Sequence, residues 1–238
     1  MSVSVVFNSW KRQKNLPIIV ETLAKSPLIK EIFICDSNPN IRLDSRTFNE
    51  PKLTIFDTSR NLGLSTRWMM GQFATSSCII TQDDDRLIHP EAIKQMYMKW
   101  KKAPRLMHGV GGRTVHPDGT YAKKSLRVGQ APVICTGFAA IHRKYCCLYP
   151  YVYFDILKKF GQEIYDYVYT SGDDILMSYL ILSQTKKANQ IHSIPYDILP
   201  YAQDKGMSIH KQPGHMDKRT AMVRAFEKYF KLDSQDYE

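Results

Sequence analysis

The chain has 238 residues, 43% hydrophobic and 11% aromatic, with a formal charge of +10. That suits one globular domain able to bury a sizeable core, and the absence of any run near ~18 apolar residues excludes a membrane-spanning helix. Five cysteines, an odd number mostly inside apolar runs, exclude a disulfide framework and read as reduced thiols; no CxxC or Cys/His spacing suggests structural zinc.

Met1 to Phe7 lacks the basic region and small-residue cleavage site of a secretory signal and reads as a first strand, Ser4 to Phe7, so a cytoplasmic location is expected. Leu16, Ile19, Val20 and Leu23 then share one helix face, with Pro17 in the first turn. Glu31 to Cys35 and Leu53 to Phe56 read as strands, Ser65 to Phe73 as a helix, and Cys78 to Thr81 as a fully apolar strand. Pro90-Glu91 opens a helix whose Ile93, Met96, Tyr97 and Trp100 share a face. Farther on, Val133 to Ile141 resembles a strand interrupted at Gly137, and Asp173 to Leu182 and Lys218 to Phe230 read as helices. Tyr145 to Tyr169 carries no motif.

Strand alternating with helix over short connections predicts an α/β fold with right-handed crossovers and a mainly parallel sheet. Ligands bind such sheets beyond the carboxyl ends of the strands, where Asn8-Ser9, Asp36-Ser37, Arg60-Asn61 and Asp83-Asp84-Asp85 all fall. A single domain over 1–238 is expected, with 1–105 as the ligand-binding half and 106–238 as the half facing a second substrate.

Three constellations could carry chemistry. Strand alternation points Asp83 and Asp85 one way and Asp84 the other. Three carboxylates within ~7 Å repel one another unless donors or a cation neutralise them. The triplet is either a solvated turn before the Pro90 helix or a seat for Mn²⁺ or Mg²⁺ completed by diphosphate oxygens; the apolar strand ahead of it favours the metal. Asp173-Asp174 serve either as helix N-terminal carboxylates or as carboxylates beside a carbon that develops positive charge. In His215-Met216-Asp217-Lys218-Arg219, Arg219 is either a solvated helix end or a guanidinium matched to phosphate oxygens. Single histidines such as His210 or His215 are more often structural than ligands.

In order and context these stretches resemble the catalytic domain of exostosin and exostosin-like glycosyltransferases (family 64-like). The likeness rests on Val6-Phe7-Asn8-Ser9-Trp10-Lys11-Arg12, on Ile79 through Ile88 around the aspartates, on Asp173-Asp174-Ile175-Leu176-Met177-Ser178-Tyr179-Leu180, and on His215-x-x-x-Arg219-Thr220. The resemblance implies a GT-A (Rossmann-like) fold with a mixed, mainly parallel sheet. It also implies Mn²⁺-dependent, retaining transfer of a hexose or N-acetylhexosamine from a UDP-sugar to a glycan or lipid-linked acceptor. Carried over, Asp85 binds metal with Asp83, while Asp83 and Asp84 meet the ribose and donor sugar. Asp174, beside Asp173, lies beneath the anomeric carbon, Arg219 holds the diphosphate, and Asn8, Arg12, Asp36, Asn61 and Arg67 line the nucleotide pocket.

One departure is informative. Relatives carry a cysteine just before the Asp-Asp-Ile stretch and another three residues after the arginine; here those positions are Gly172 and Met222. The joint absence agrees with a reducing compartment. A second resemblance, of Asp57 through Gly63 followed by Arg67 to inverting family 2 transferases, keeps the fold but makes Asp173 or Asp174 a general base. The +10 charge raises a nucleic-acid binder, but no Lys/Arg stripe supports it and the acidic triplet opposes it. Peripheral contact with a membrane stays open. Intact Asp85, Asp174 and Arg219 argue against an inactive scaffold. A nucleotidyltransferase needs a glycine-rich loop that Asn8 to Asn15 lacks.

Overall fold

The computed structural model describes residues 2–40, 42–58, 60–200 and 212–232. His210 and Ser59 of the Asp57 to Gly63 stretch lie outside them. In chain order the first half runs β1 (Val3–Ser9), α1 (Leu16–Ala24), β2 (Ile29–Asp36), β3 (Leu53–Asp57), α2 (Thr66–Gly71), β4 (Cys78–Gln82), β5 (Arg86–Leu87) and α3 (Pro90–Lys102). The second half runs β6 (His108–Gly109), β7 (Gly112–Val115), β8 (Tyr121–Leu126), β9 (Gly129–Ala131), β10 (Val133–Ile134), β11 (Phe138–His142), α4 (Arg143–Tyr167), α5 (Asp173–Thr185), β12 (Asn189–Ile191), β13 (Asp197–Ile198) and α6 (His215–Phe230).

Among the described residues the main sheet has the order β3-β2-β1-β4-β11-β6-β12-β9. β1 to β4 are parallel; β11 enters antiparallel to both β4 and β6, and β12 returns parallel to β6. This is the mixed, mainly parallel sheet expected of a GT-A domain. Successive residues feed opposite faces. Val3, Val5, Phe7, Ile32, Ile34, Cys78 and Ile80 pack with α1 and α3, whereas Val6, Phe33, Cys35 and Ile79 pack with the α4, α5 and α6 side. Two covered faces leave the strands' carboxyl ends as the open edge.

The helices follow their residues. Pro90 occupies the first turn of α3 beside Glu91, and Lys99, Lys101 and Lys102 close its last turn, matching the helix dipole at both ends. The Tyr145 to Tyr169 stretch, left without a motif, is mostly α4. Tyr145, Tyr149, Tyr153 and Ile156 form its buried face, and Gly161 breaks it with φ 75°. The expected strand through Gly137 divides into β10 and β11, which belong to different sheets. All five cysteines are free thiols, and among the described residues no helix is long and apolar enough to cross a membrane.

At the far side of the sheet, His108 Nε2 donates to the Ala103 carbonyl (2.9 Å), leaving Nδ1 to accept from His192 Nε2 at 2.9 Å. Burial holds both imidazoles neutral, with His192 lowered to about 4. Because the folded state binds fewer protons than the unfolded one below its ordinary pKa near 6.5, stability is retained above that pH and lost as pH falls toward 4. His192→Gln is expected to flatten this acid limb in urea melts at pH 4.5 and 7; an unchanged slope would show that the pair does not govern it.

Candidate functional site

β4 ends at Gln82, and Asp83 to Asp85 turn back into β5, with Arg86 N–H donating to the Asp83 carbonyl at 3.1 Å. The two-residue alternation expected for the triplet therefore stops one residue too early. Asp83 turns to Arg67 Nη1 (3.1 Å), while Asp84 and Asp85 share Arg12 Nη1 at 2.8 and 3.4 Å. Asp84 and Asp85 are buried, at 7% and 9% exposure, which removes the solvated-turn alternative. Burial pushes both carboxyls up, and the charge of Arg12 acts against it.

The second acidic pair opens α5. Asp173 Oδ2 accepts from Trp68 Nε1 (3.1 Å) and lies 3.6 Å from Arg67 Nε. Asp174 Oδ2 accepts from Arg219 Nη2 (2.5 Å), and its Oδ1 accepts from the Ile175 N–H (2.8 Å). Arg219 also donates to the Ser171 carbonyl (2.6 Å) and the Tyr121 hydroxyl (2.9 Å), with its guanidinium 4.6 Å from the Tyr121 ring centre. Arg219 is thus the buried partner of Asp174 rather than a solvated helix end.

Arg67 joins the two acidic groups. It is 4% exposed and sits between Asp83 and Asp173, so the triplet and the pair form one charged assembly. Buried ion pairs repay their desolvation only marginally. Five carboxylates gathered with Arg12, Arg67, Arg86 and Arg219 at a sheet edge therefore make this edge the candidate functional site.

Unpartnered polar atoms sharpen this. Buried side-chain atoms without a hydrogen bond include Asn8 Oδ1, Ser9 Oγ, Ser37 Oγ, Gln82 Oε1 and Asp85 Oδ1, all at or just past the carboxyl ends of β1, β2 and β4. Buried polar atoms are ordinarily satisfied, so such a concentration points to a polar ligand. Asn8 holds the Leu64 carbonyl through Nδ2 (2.8 Å); Asp36 accepts from Leu43 N–H (3.2 Å) and Gln13 (3.4 Å). Asn61 stands apart from the ion-pair assembly: exposed, it accepts from the Gly63 N–H (2.8 Å) and ties its loop to Tyr169.

No three His, Cys, Asp or Glu side chains converge as a metal cage among the described residues. Asp85 Oδ1, however, is buried with no hydrogen-bond donor, lying 3.2 Å from Arg86 Nε, and the Asp83 side chain is 35% exposed. Two carboxylates with spare oxygens fit a divalent ion whose remaining ligands come from a substrate.

Gly172 and Met222, the positions where the resembling family carries cysteines, are neighbours. A Cβ on Gly172 would stand 2.1 Å from Met222 Sδ, so the thioether fills the space beside the residue that precedes Asp173. Gly172→Ala is expected to cost about 1–3 kcal/mol through overpacking, and Met222→Ala in the same chain to recover part of it. Equal melting of Gly172→Ala and the parent protein would refute the clash.

Trp68, Arg86 and Tyr121 went unnoticed in the sequence, as did the individual roles of Ser9 and Ser37. Trp68 and Tyr121 have partners far away along the chain, Trp68 reaching Asp173 over 105 residues and Tyr121 reaching Arg219 over 98, whereas Arg86 pairs with the adjacent Asp85. Only the turn residues around Ser9 and Ser37 signalled a strand end. Residues 3–237 match the glycosyl transferase family 64 domain. With nearly the whole chain matched and the charged assembly at the expected sheet edge, this chain belongs to glycosyl transferase family 64 and is a glycosyltransferase.

Proposed function

We propose that this chain transfers a sugar from a UDP-sugar to a glycan or lipid-linked acceptor, with Mn²⁺ or Mg²⁺ and retention of anomeric configuration, as in the exostosin-like enzymes it resembles. The observation that carries this reading is the Arg67 bridge, which joins the Asp83 to Asp85 turn to Asp173 and through it to Asp174 and Arg219. Asp85 and Asp83 would hold the ion, which when bound neutralises charge on the diphosphate leaving group. Arg12 fixes Asp84, and Asn8, Ser9, Asp36 and Ser37 line the strand ends where the nucleoside would lie. Asp174 presents negative charge toward a developing oxocarbenium carbon, and Arg219 positions it.

Retention is proposed from the family resemblance; both oxygens of Asp174 accept hydrogen bonds, from Arg219 and Ile175, which suits a charge held in place beside the reacting carbon. Asp173 is engaged through Oδ2 alone, so the inverting alternative keeps Asp173 as its general base. A reducing, cytoplasmic location accords with the five free thiols and with Gly172 and Met222.

The test is a thermal-melting screen of nucleotides and nucleotide sugars with and without Mn²⁺. A ligand at a hundred times its Kd adds about 2.7 kcal/mol, or roughly 5–10 °C for a domain of this size. Asp85→Asn is expected to lose the metal-dependent part of the shift. No shift with any nucleotide diphosphate, or the same shift without metal, would overturn the reading.

A further inference from the structure

The outward face of α4 does not look like the surface of a solvated helix. Lys144, Cys147, Leu148, Tyr151, Phe154 and Lys158 recur at spacings of three and four, so they share one exposed stripe opposite the buried Tyr145, Tyr149, Tyr153 and Ile156. Tyr151 is 79% exposed, Phe154 52% and Leu148 39%, three of the more exposed large apolar side chains of the protein. Beside them an open cavity of about 480 Å³ runs to α6, lined by Pro150, Tyr151, Phe154, Asp155, Lys158 and Tyr229.

Charge brackets this apolar stripe. Lys144, Lys158 and Lys159 stand on α4, and the exposed Lys228 and Lys231 flank Tyr229 at the end of α6. Asp155 is the carboxylate within the stripe, and Tyr229 (2.7 Å) and Lys159 (3.4 Å) already engage it. The patch is therefore net positive on a chain of net charge +10. An aromatic and aliphatic stripe ringed by lysines is the pattern of a helix lying in a bilayer interface: the rings enter the headgroup boundary while the ammonium groups reach anionic lipid.

From this we infer that the α4 face docks the enzyme on an anionic lipid surface. Beyond the break at Gly161, α4 continues through the π-helical segment Val168–Gly172 to Asp173, so docking on the stripe sets the orientation of the charged assembly toward the bilayer. The lipid contact itself rests on α4 alone; its use in presenting a lipid-linked acceptor rests on the proposed function.

The full chain is sedimented with vesicles of phosphatidylcholine alone and of phosphatidylcholine with 30% phosphatidylserine, a composition of roughly physiological charge. Binding to the anionic vesicles is expected and should weaken with salt. Tyr151→Ser with Phe154→Ser is expected to weaken it on the order of tenfold, and Tyr151→Ser alone, at a side chain 79% exposed, to weaken it without changing the melting temperature, whereas Phe154 also makes an edge contact with Tyr153. Tyr151→Trp should show a blue-shifted emission with the anionic vesicles, reporting insertion. No vesicle binding by the parent chain, binding undiminished by the double substitution, or equal binding to neutral vesicles would overturn the inference. So would a dimer that the double substitution dissolves while vesicle binding persists, since the stripe would then cover a second copy. The readout needs no turnover, so an inactive but vesicle-binding protein would sink the donor reading and leave the docking surface standing.

Discussion

Replacing Arg219 with methionine is expected to remove about 3–5 kcal/mol of folding stability and to reduce transfer on the order of a hundredfold or more. Arg219 and Asp174 are both almost fully buried, and the guanidinium is the partner of Asp174 Oδ2. Methionine keeps much of the volume but leaves a carboxylate in a dry site with only the Ile175 N–H beside it. The cost comes from that stranded charge rather than from the value of the pair, because a buried ion pair replaced whole by apolar groups is often near neutral. Arg219→Met combined with Asp174→Leu should therefore regain most of the stability and none of the activity. Tyr121→Phe, which removes one acceptor from Arg219 but keeps the ring beneath it, should cost only about 1 kcal/mol. Denaturant melts of the three variants and the parent decide the matter. If the single and double Arg219 variants were equally unstable, Asp174 would not be the group that needs the arginine.

What the sequence revealed, and what it hid, follows the range of the interactions. The strands read as Ser4 to Phe7, Glu31 to Cys35 and Cys78 to Thr81, which form Val3–Ser9, Ile29–Asp36 and Cys78–Gln82, were legible because short runs rich in apolar and β-branched residues bounded by turn residues have few other uses in a globular domain. The aspartate triplet was legible as a site for the same reason: an apolar strand delivers it to the sheet edge. Its side-chain directions were not, since strand alternation holds only while the strand lasts and Gln82 is the last residue that obeys it. α4 was missed although Tyr145, Tyr149, Tyr153 and Ile156 keep helical spacing, because Pro150 and Gly161 interrupt the pattern and the exposed Tyr151 and Phe154 blur its polar face. Arg67 could be named as a candidate, but its role as the bridge between Asp83 and Asp173 is a tertiary fact that no local pattern encodes.

That bridge sets the second large effect. Arg67→Met is expected to abolish transfer and to destabilise the fold in a pH-dependent way. Burial pushes the Asp173 carboxyl up, and Arg67 is the charge that most opposes the shift. Without the guanidinium the folded-state pKa rises further above that of the unfolded chain. Between those two values the folded state holds a proton that the unfolded state has lost, so stability declines as pH rises through the window and levels off above the folded pKa. The penalty should accordingly be small near pH 5 and reach about 3–5 kcal/mol near pH 8, where a buried carboxylate must stay ionised with Trp68 as its remaining strong donor. Asp173→Asn in the same chain should flatten the dependence, since the amide has no proton to gain. Urea melts of the parent, Arg67→Met and the double variant at both pH values provide the measurement. A penalty independent of pH would mean that Asp83, 35% exposed and able to reach water, rather than Asp173, is the group that Arg67 serves.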